Sequence, residues 1–172
     1  MPQRIDIKPN TTRRNRLKGF DYRTPGYYFI SICQRDRRHL FSNIHCGQLT
    51  LLTRGLMVDE VTTEIEVRFD NTIVDASVIM PNHAHLLLGM NLNDQIQTQD
   101  SVVTVIEWWK SQTVTRYGWG VKNDGWDRYD ESLWQEGYHD RIVRDQRELE
   151  YIRYYIEQNP KRWDEDTFFE ED

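Results

Sequence analysis

Apolar residues occur in short runs that predict strands, and turn-forming residues separate these runs. Residues 27–34 are rich in aromatic and β-branched side chains and follow the turn signal Pro25-Gly26, so they predict the first strand. Residues 73–80 and 83–88 are two further apolar runs, and Pro81-Asn82 between them predicts a hairpin. Because the second of these runs is apolar at consecutive positions, we expect it to be covered on both faces and to lie centrally in a sheet.

Apolar residues that recur every three or four positions predict helices elsewhere. Residues 48–65 predict a first helix in spite of Gly55 within it, and residues 102–114 predict a second. Residues 91–100 are polar without periodicity, and residues 117–131 contain several glycines and asparagines, so both stretches predict loops.

The last part of the chain predicts a fourth strand over residues 133–143 and a third helix after it. Asp145 and Glu148 have the spacing of a capping box at the start of that helix, and Pro160 bounds its end. The apolar residues at helical spacing, which we expect to be buried, are Leu149, Ile152 and Ile156.

The order of these elements predicts a ferredoxin-like α+β sandwich, an antiparallel sheet with helices packed on one face. The 172 residues suffice for one domain, which we expect over residues 24–163, after a basic arm at 1–23 and before an acidic tail at 164–172. No stretch approaches twenty apolar residues, and residues 1–10 lack the apolar segment of a secretory signal. We therefore expect a cytoplasmic protein with no membrane partner.

The distribution of charge changes the meaning of the net charge of −6, which at first sight argues against a nucleic-acid partner. Six of the 28 acidic residues lie in the last nine positions, which contain no base, and the remaining 22 equal the 22 lysines and arginines. Residues 1–23 instead contain seven basic and two acidic residues. This arm is suited to following a phosphate backbone, and a solvated leader is the alternative interpretation.

Two histidines and a tyrosine are the candidate residues for a metal site and a nucleophile. His83 and His85 open the third predicted strand, and because side chains alternate across a strand they project from one face while Ala84 points into the protein. Tyr155 and Asn159 lie one turn apart on the same side of the third helix. If the helix faces the strand, these groups form a metal site with an adjacent oxygen nucleophile, although a His-x-His pair is often two unrelated histidines.

Four segments, taken together, resemble the single-tyrosine transposases of the His-hydrophobe-His (HUH) class. Residues 81–86, Pro-Asn-His-Ala-His-Leu, resemble the HUH motif, and residues 155–160, Tyr-Ile-Glu-Gln-Asn-Pro, resemble the nucleophile helix of the REP-associated relatives. Residues 27–38, which end in a cluster of arginines, and residues 133–144 support the likeness. The resemblance covers roughly residues 20–163, and it implies the same ferredoxin-like architecture.

The resemblance implies a single-strand DNA endonuclease and strand transferase that acts on palindromic-repeat hairpins through a 5′-phosphotyrosine intermediate. It implies Tyr155 as the nucleophile. Tyr154 is a rival, because Gln158 follows it at the spacing of the family's third metal ligand, but the Tyr-Ile-x-x-Asn-Pro form and Asn159 favour Tyr155.

The resemblance also implies that His83, His85 and Asn159 bind a divalent metal ion, Mg²⁺ or Mn²⁺. The ligand types alone would suit zinc or nickel equally well. The implied partner is single-stranded or hairpin DNA, and the REP-associated relatives favour a monomer over a dimer. The candidate DNA contacts are Arg13, Arg14, Arg16, Lys18, Lys110, Arg116, Arg141 and Arg144.

Two other classes of function remain open on the sequence. One is a non-catalytic protein that binds DNA or RNA hairpins with the same fold. The other is a metal-dependent phosphodiesterase that uses water instead of a tyrosine. Covalent attachment of the protein to DNA would distinguish the transposase chemistry from both.

Overall fold

The computed structural model describes residues 19–95, 100–166 and 168. Its elements, in chain order, are the strands and helices β1 Gly26–Cys33, β2 Ser42–His45, β3 Gln48–Leu51, α1 Thr53–Arg68, β4 Thr72–Ile79, β5 His83–Met90, α2 Val102–Asn123, β6 His139–Ile142, α3 Gln146–Gln158 and a 3₁₀ helix Asn159–Glu165.

Four strands form an antiparallel sheet in the order β4-β5-β1-β6. Helix α1 lies between β1 and β4 in the chain, and α2 lies between β5 and β6. This is the ferredoxin-like arrangement, and it confirms the predicted α+β fold. Strand β5 has a neighbour on each side and all eight of its residues are buried, so the predicted central position is also confirmed.

The two faces of the sheet pack against different helices. On one face, Ile30 and Leu86 belong to the main core, which includes the apolar residues of α1 and α2. On the opposite face, Phe29 and Leu87 pack against the apolar stripe of α3. The predicted stripe residues are all buried: Leu149, Ile152 and Ile156. Helices α1 and α2 therefore cover one face as predicted, and α3 covers part of the other.

A two-stranded hairpin, β2 with β3, stands where the sequence predicted the start of the first helix. The predicted start at residue 48 was wrong, because Gln48–Leu51 pairs with Ser42–His45 and the helix begins at Thr53. Gly55 lets α1 approach this hairpin closely: a Cβ there would lie 2.0 Å from the carbonyl oxygen of Phe41. The glycine that weakened the helical pattern is required by packing.

Helix α2 runs further than predicted, to Asn123, so the expected loop from residue 117 was wrong over its first half. Tyr117 is buried in the main core, which explains why the helix continues. Strand β6 is shorter than predicted, and Trp134 contributes only an isolated bridge to Gln34. Within the described ranges, no helix has both the length and the apolar character to cross a bilayer.

The start of α3 is fixed by the predicted Asp145 and Glu148. The Asp145 side chain accepts a hydrogen bond from Glu148 N at 2.8 Å, as an N-cap does. The buried Glu148 carboxylate accepts from Arg144 N at 2.8 Å and from Arg141 Nε at 2.6 Å. Glu148 therefore ties the helix to the end of β6 rather than returning to the cap residue itself.

Candidate active site

His83 and His85 lie side by side on the face of β5 that packs against α3. Ala84, between them, points to the opposite face and belongs to the main core. The two Nε2 atoms are 3.1 Å apart, and both rings are buried. Period-two alternation in a central strand thus brings two imidazole nitrogens to one point.

The amide of Asn82 determines which nitrogen of His83 carries hydrogen. Asn82 Nδ2 donates to the carbonyl oxygens of Phe168 at 2.8 Å and Arg37 at 3.2 Å, so its Oδ1 faces His83 Nδ1, at 2.9 Å. An amide oxygen only accepts hydrogen bonds, and His83 Nδ1 must therefore be the donor. The Nε2 atom of His83 is left with a lone pair, which is the state in which an imidazole binds a metal ion.

Ser31 gives His85 a choice between two tautomers. Ser31 Oγ lies 2.7 Å from His85 Nδ1 across the β1–β5 pair, and a hydroxyl can donate or accept. With hydrogen on Nε2, His85 donates to His83. With hydrogen on Nδ1, two lone pairs face each other at 3.1 Å, which is favourable only if a cation lies beside them. The hydrogen-bond partners of His85 therefore allow both tautomers.

Burial keeps both imidazoles neutral. Burial, together with His85 and Arg37, lowers the pKa of His83 well below its usual value. Burial and the nearby His139 lower the pKa of His85 to about 3. At neutral pH both rings are thus in the form that binds metal ions.

These low pKa values predict that acid destabilises the ion-free protein. The unfolded chain takes up a proton on His85 near pH 6.5 and the folded protein does not, so the unfolded state binds more protons below that pH and stability falls as pH falls. From pH 6.5 to pH 5 we expect His85 alone to remove about 2 kcal/mol. Urea unfolding in chelator at both pH values measures this loss, and it should shrink in His85→Gln. An equal loss in both proteins would contradict the neutral, buried imidazole.

Tyr155 is the tyrosine of α3 that reaches the histidines. Its ring centroid lies 5.4 Å from that of His85 and 5.9 Å from that of Phe29. Burial and the Asp166 carboxylate raise the pKa of the Tyr155 phenol, and the Asn159 amide acts in the opposite direction. Tyr154, the rival candidate, is 43% exposed.

Two oxygen donors complete the surroundings of the histidines. The buried Asn159 donates from Nδ2 to Asp166 Oδ2 at 3.0 Å, while no residue among those described donates a hydrogen bond to its buried Oδ1. Asp166 Oδ2 lies 4.0 Å from His83 Nε2, and burial raises the pKa of this carboxyl. Ligand atoms of His83, His85 and Asp166 all lie within 4.8 Å of one another. Two neutral imidazoles, an unpartnered amide oxygen and a carboxylate fit a divalent ion.

Phe168 covers the histidines from outside the sheet. Its ring centroid lies 4.7 Å from that of His83 and 6.1 Å from that of His85, and the Arg37 guanidinium stacks over it at 5.6 Å. Its backbone is held by Asn82 and Asp166. The Phe168 ring therefore lies over the histidine pair, on the side where the Arg37 guanidinium also lies.

Sequence reasoning missed most of these supporting residues. Asp166 and Phe168 stand in the predicted acidic tail, to which the sequence assigned no role, and no local pattern shows that such a segment packs on a sheet. Ser31 and Asn82 had a usable signal: both stand in the motif segments, Ser31 on the neighbouring strand and Asn82 beside the first histidine.

The predicted DNA contacts fall into three groups. Lys110 and Arg116 lie on α2, on the other side of the sheet from the histidines: Lys110 Nζ donates to Gln135 O at 2.6 Å, and Arg116 makes a two-point ion pair with Glu64. Arg141 pairs with Glu148 at the start of α3, and Arg144 is exposed nearby. DNA contacts by these four residues stay predictions. The remaining four lie outside the described residues: Arg13, Arg14, Arg16 and Lys18.

A sequence profile of a known family covers the whole four-stranded sheet, the histidine pair and all of α3. The profile, described as transposase, IS200-like, matches residues 26–159. The chain belongs to this family. The family places the protein among transposases, which are enzymes that act on DNA, and it confirms the likeness to single-tyrosine transposases predicted from the motifs.

Individual relatives agree with the family. An uncharacterized protein of Haemophilus influenzae is 30% identical over 173 residues, which cover 91% of this chain and 92% of the relative. A REP-associated tyrosine transposase bound to a REP hairpin has a similar fold, with a TM-score of 0.57 and 18% identity over 79% of this IS200-like chain and 67% of the other. A candidate transposase of Deinococcus radiodurans superimposes with a TM-score of 0.52 and 15% identity, over 86% and 98% of the two chains.

Proposed function

We propose that this IS200-like transposase cleaves and rejoins single-stranded DNA through a covalent bond between Tyr155 and a 5′-phosphate. One observation carries the proposal: the Tyr155 ring lies 5.4 Å from His85, whose Nε2 is 3.1 Å from that of His83. A phenol can attack a phosphodiester as the nucleophile, and two imidazole nitrogens beside it can hold the metal ion that polarises the phosphate.

In the proposed reaction, the Tyr155 oxygen attacks the phosphorus, the bond to the 3′ oxygen breaks, and a free 3′-hydroxyl leaves. Rejoining is the reverse, with a 3′-hydroxyl displacing the tyrosine, so no external energy source is needed. At an unperturbed pKa near 10, only about a thousandth of a phenol is ionised at pH 7. Burial lowers that fraction further at Tyr155, and the phenol must therefore be activated when the substrate binds.

For the cation we propose His83, His85 and Asn159 as ligands, with Mg²⁺ or Mn²⁺ as the ion. Bound there, a divalent ion would withdraw charge from the phosphate oxygens and orient the phosphate toward Tyr155. Asn159 Oδ1 supports this role, because it is a buried acceptor that has no partner within the described part of the chain. Asp166 is a further oxygen donor close to His83.

The proposed substrate is a single strand that carries a palindromic hairpin. A solved structure with a similar fold, that of a REP-associated tyrosine transposase, is bound to a REP hairpin, and this supports the proposal. We propose that the protein acts as a monomer, because α3 packs its apolar stripe on the sheet of its own chain and so supplies Tyr155 in cis.

The test is to mix the protein with single-stranded oligonucleotides that carry candidate hairpins, add Mn²⁺ or Mg²⁺, and separate the products on a denaturing gel. We expect a protein–DNA band that survives denaturation and carries a label placed at the 3′ end of the oligonucleotide, because the downstream fragment is the one whose 5′-phosphate is joined to the tyrosine. Cleavage without such a band would indicate a phosphodiesterase that uses water. Tight hairpin binding without cleavage would indicate a binding protein.

Replacing Phe168 by alanine should increase the rate of adduct formation. The substitution removes the ring that covers His83 but leaves Asp166 in place. If the covered state is weakened by about 1.4 kcal/mol, its equilibrium with the open state shifts about tenfold. Single-turnover rates of adduct formation at saturating DNA measure the change. An unchanged or lower rate would show that Phe168 does not limit access.

A further inference from the structure

We propose that Asp75 and Arg153 are positioning residues that set the place of Tyr155 over the histidines. The inference rests on the proposed function, because it concerns the same tyrosine. Strand β4, the edge strand next to the histidine-bearing β5, has an irregular register.

Asp75 is the extra residue of a β-bulge. Val74 pairs with Leu88 and Ala76 pairs with Leu87, so Asp75 has no partner in the register. Since the inserted residue reverses the alternation, Val74 packs with the main core whereas Ala76 packs under α3. The bulge therefore gives β4 an apolar surface on both faces. It also places the Asp75 carboxylate where the alternation of side chains reverses.

Arg153 of α3 binds this carboxylate through two hydrogen bonds. Arg153 Nε donates to Asp75 Oδ2 at 2.7 Å, and Nη2 donates to Oδ1 at 2.6 Å. The Asp75 side chain is only 12% exposed. Two parallel bonds between a planar guanidinium and a carboxylate fix direction as well as distance.

Directional contacts matter here because the rest of the α3 interface is apolar. The apolar stripe of α3 packs on Phe29 and Leu87. Such contacts have no preferred direction, so they resist sliding or rotation of the helix poorly. The Glu148–Arg141 pair ties the start of α3 to β6, one edge of the sheet, and the Arg153–Asp75 pair ties it to β4, the other edge. Arg153 is two residues before Tyr155, so a rotation at Arg153 moves the phenol directly.

The chain offers a matched control. Arg116 on α2 makes the same two-point ion pair with Glu64 on α1, at 2.8 and 2.6 Å, but it touches neither α3 nor the histidines. Asp75→Ala and Glu64→Ala each remove one carboxylate from an Arg pair that joins two elements. Glu60 Oε2 lies 3.6 Å from Arg116 Nη1 and remains in Glu64→Ala, so the free energy of unfolding of each variant is measured beside its adduct rate.

We expect Asp75→Ala to slow single-turnover adduct formation by about 10- to 100-fold, because a small misplacement of a reacting group has effects of this size. Hairpin affinity should change less than about twofold, and Glu64→Ala should keep the wild-type rate. The double variant Asp75→Ala with Arg153→Ala should be no slower than Asp75→Ala alone, because the two residues act as a unit. Equal rates in Asp75→Ala and wild type, or multiplied losses in the double variant, would overturn the proposal.

A second measurement separates this inference from the proposed function. Fluorotyrosine incorporated at position 155 reports the surroundings of its own ring, which packs against His85 and Phe29. Its ¹⁹F chemical shift can be measured whether or not DNA is cleaved. We expect the resonance to move or broaden in Asp75→Ala and to stay in place in Glu64→Ala. If the wild type forms no adduct and the resonance still moves, the proposed function fails and the positioning stands. An unmoved resonance in Asp75→Ala overturns the positioning.

Discussion

Tyr155→Phe is expected to abolish covalent attachment to DNA while hairpin binding is kept. Phenylalanine preserves the ring that packs edge-on to Phe29 and beside His85, so the fold and the DNA-binding surface should be unchanged. The variant lacks only the oxygen that attacks phosphorus, and we expect the adduct rate to fall by at least about three orders of magnitude, as for loss of a nucleophile. Denaturing gels for the adduct and a mobility-shift titration for binding measure the two effects separately.

Tyr154→Phe is the matched control, because it makes the same chemical change one residue earlier on the same helix. Its side chain is exposed and makes none of the ring contacts with the histidines that Tyr155 makes. We expect it to form adduct at the wild-type rate. Loss of adduct in Tyr154→Phe with retention in Tyr155→Phe would reverse the assignment.

The second large effect is expected from the histidines. His83→Ala and His85→Ala should each weaken Mn²⁺ binding and lower ion-dependent cleavage by on the order of 100-fold or more. Loss of a residue that only supports a metal ligand already lowers metal affinity or activity by about 10- to 100-fold, and loss of the ligand itself should cost at least as much. Isothermal titration with Mn²⁺ and cleavage assays after chelation measure binding and activity. His45→Ala, on the exposed end of the β2–β3 hairpin, is the control and should match the wild type.

Chelation of the wild type should have the same effect as the histidine substitutions. Activity should return with Mg²⁺ or Mn²⁺. Full activity in chelator would remove the ion from the mechanism and leave Tyr155 as the sole chemical group of the site. Because the imidazoles are neutral and buried, their substitution by alanine also opens a cavity, and a melting curve of each variant is needed alongside.

The sequence predicted those parts of the site that depend on local periodicity. His83 and His85 share a face because strands alternate, and their strand is recognisable because Pro81-Asn82 interrupts two apolar runs. Tyr155 lies next to the buried stripe of α3 because helical spacing puts it there. The resemblance to single-tyrosine transposases connected the two elements, which no periodicity could do.

The parts that the sequence did not reveal depend on contacts between distant segments. Asp166 comes from an acidic run and reaches His83 only because the 3₁₀ helix after α3 turns the chain back over the sheet. Asp75 interrupts an apolar run, and its bulge is visible only in the pairing of β4 with β5. The predicted helix wrongly included β3, Gln48–Leu51, because a four-residue strand is too short for a period to show.

The most direct test of the central claim is to digest a trapped adduct with a protease and identify the modified peptide by mass spectrometry. We predict one modified peptide, in which a nucleotide is joined through its 5′-phosphate to Tyr155. Attachment to another tyrosine of α3, either Tyr151 or Tyr154, a 3′-phosphate linkage, or cleaved DNA with no modified peptide would contradict the account.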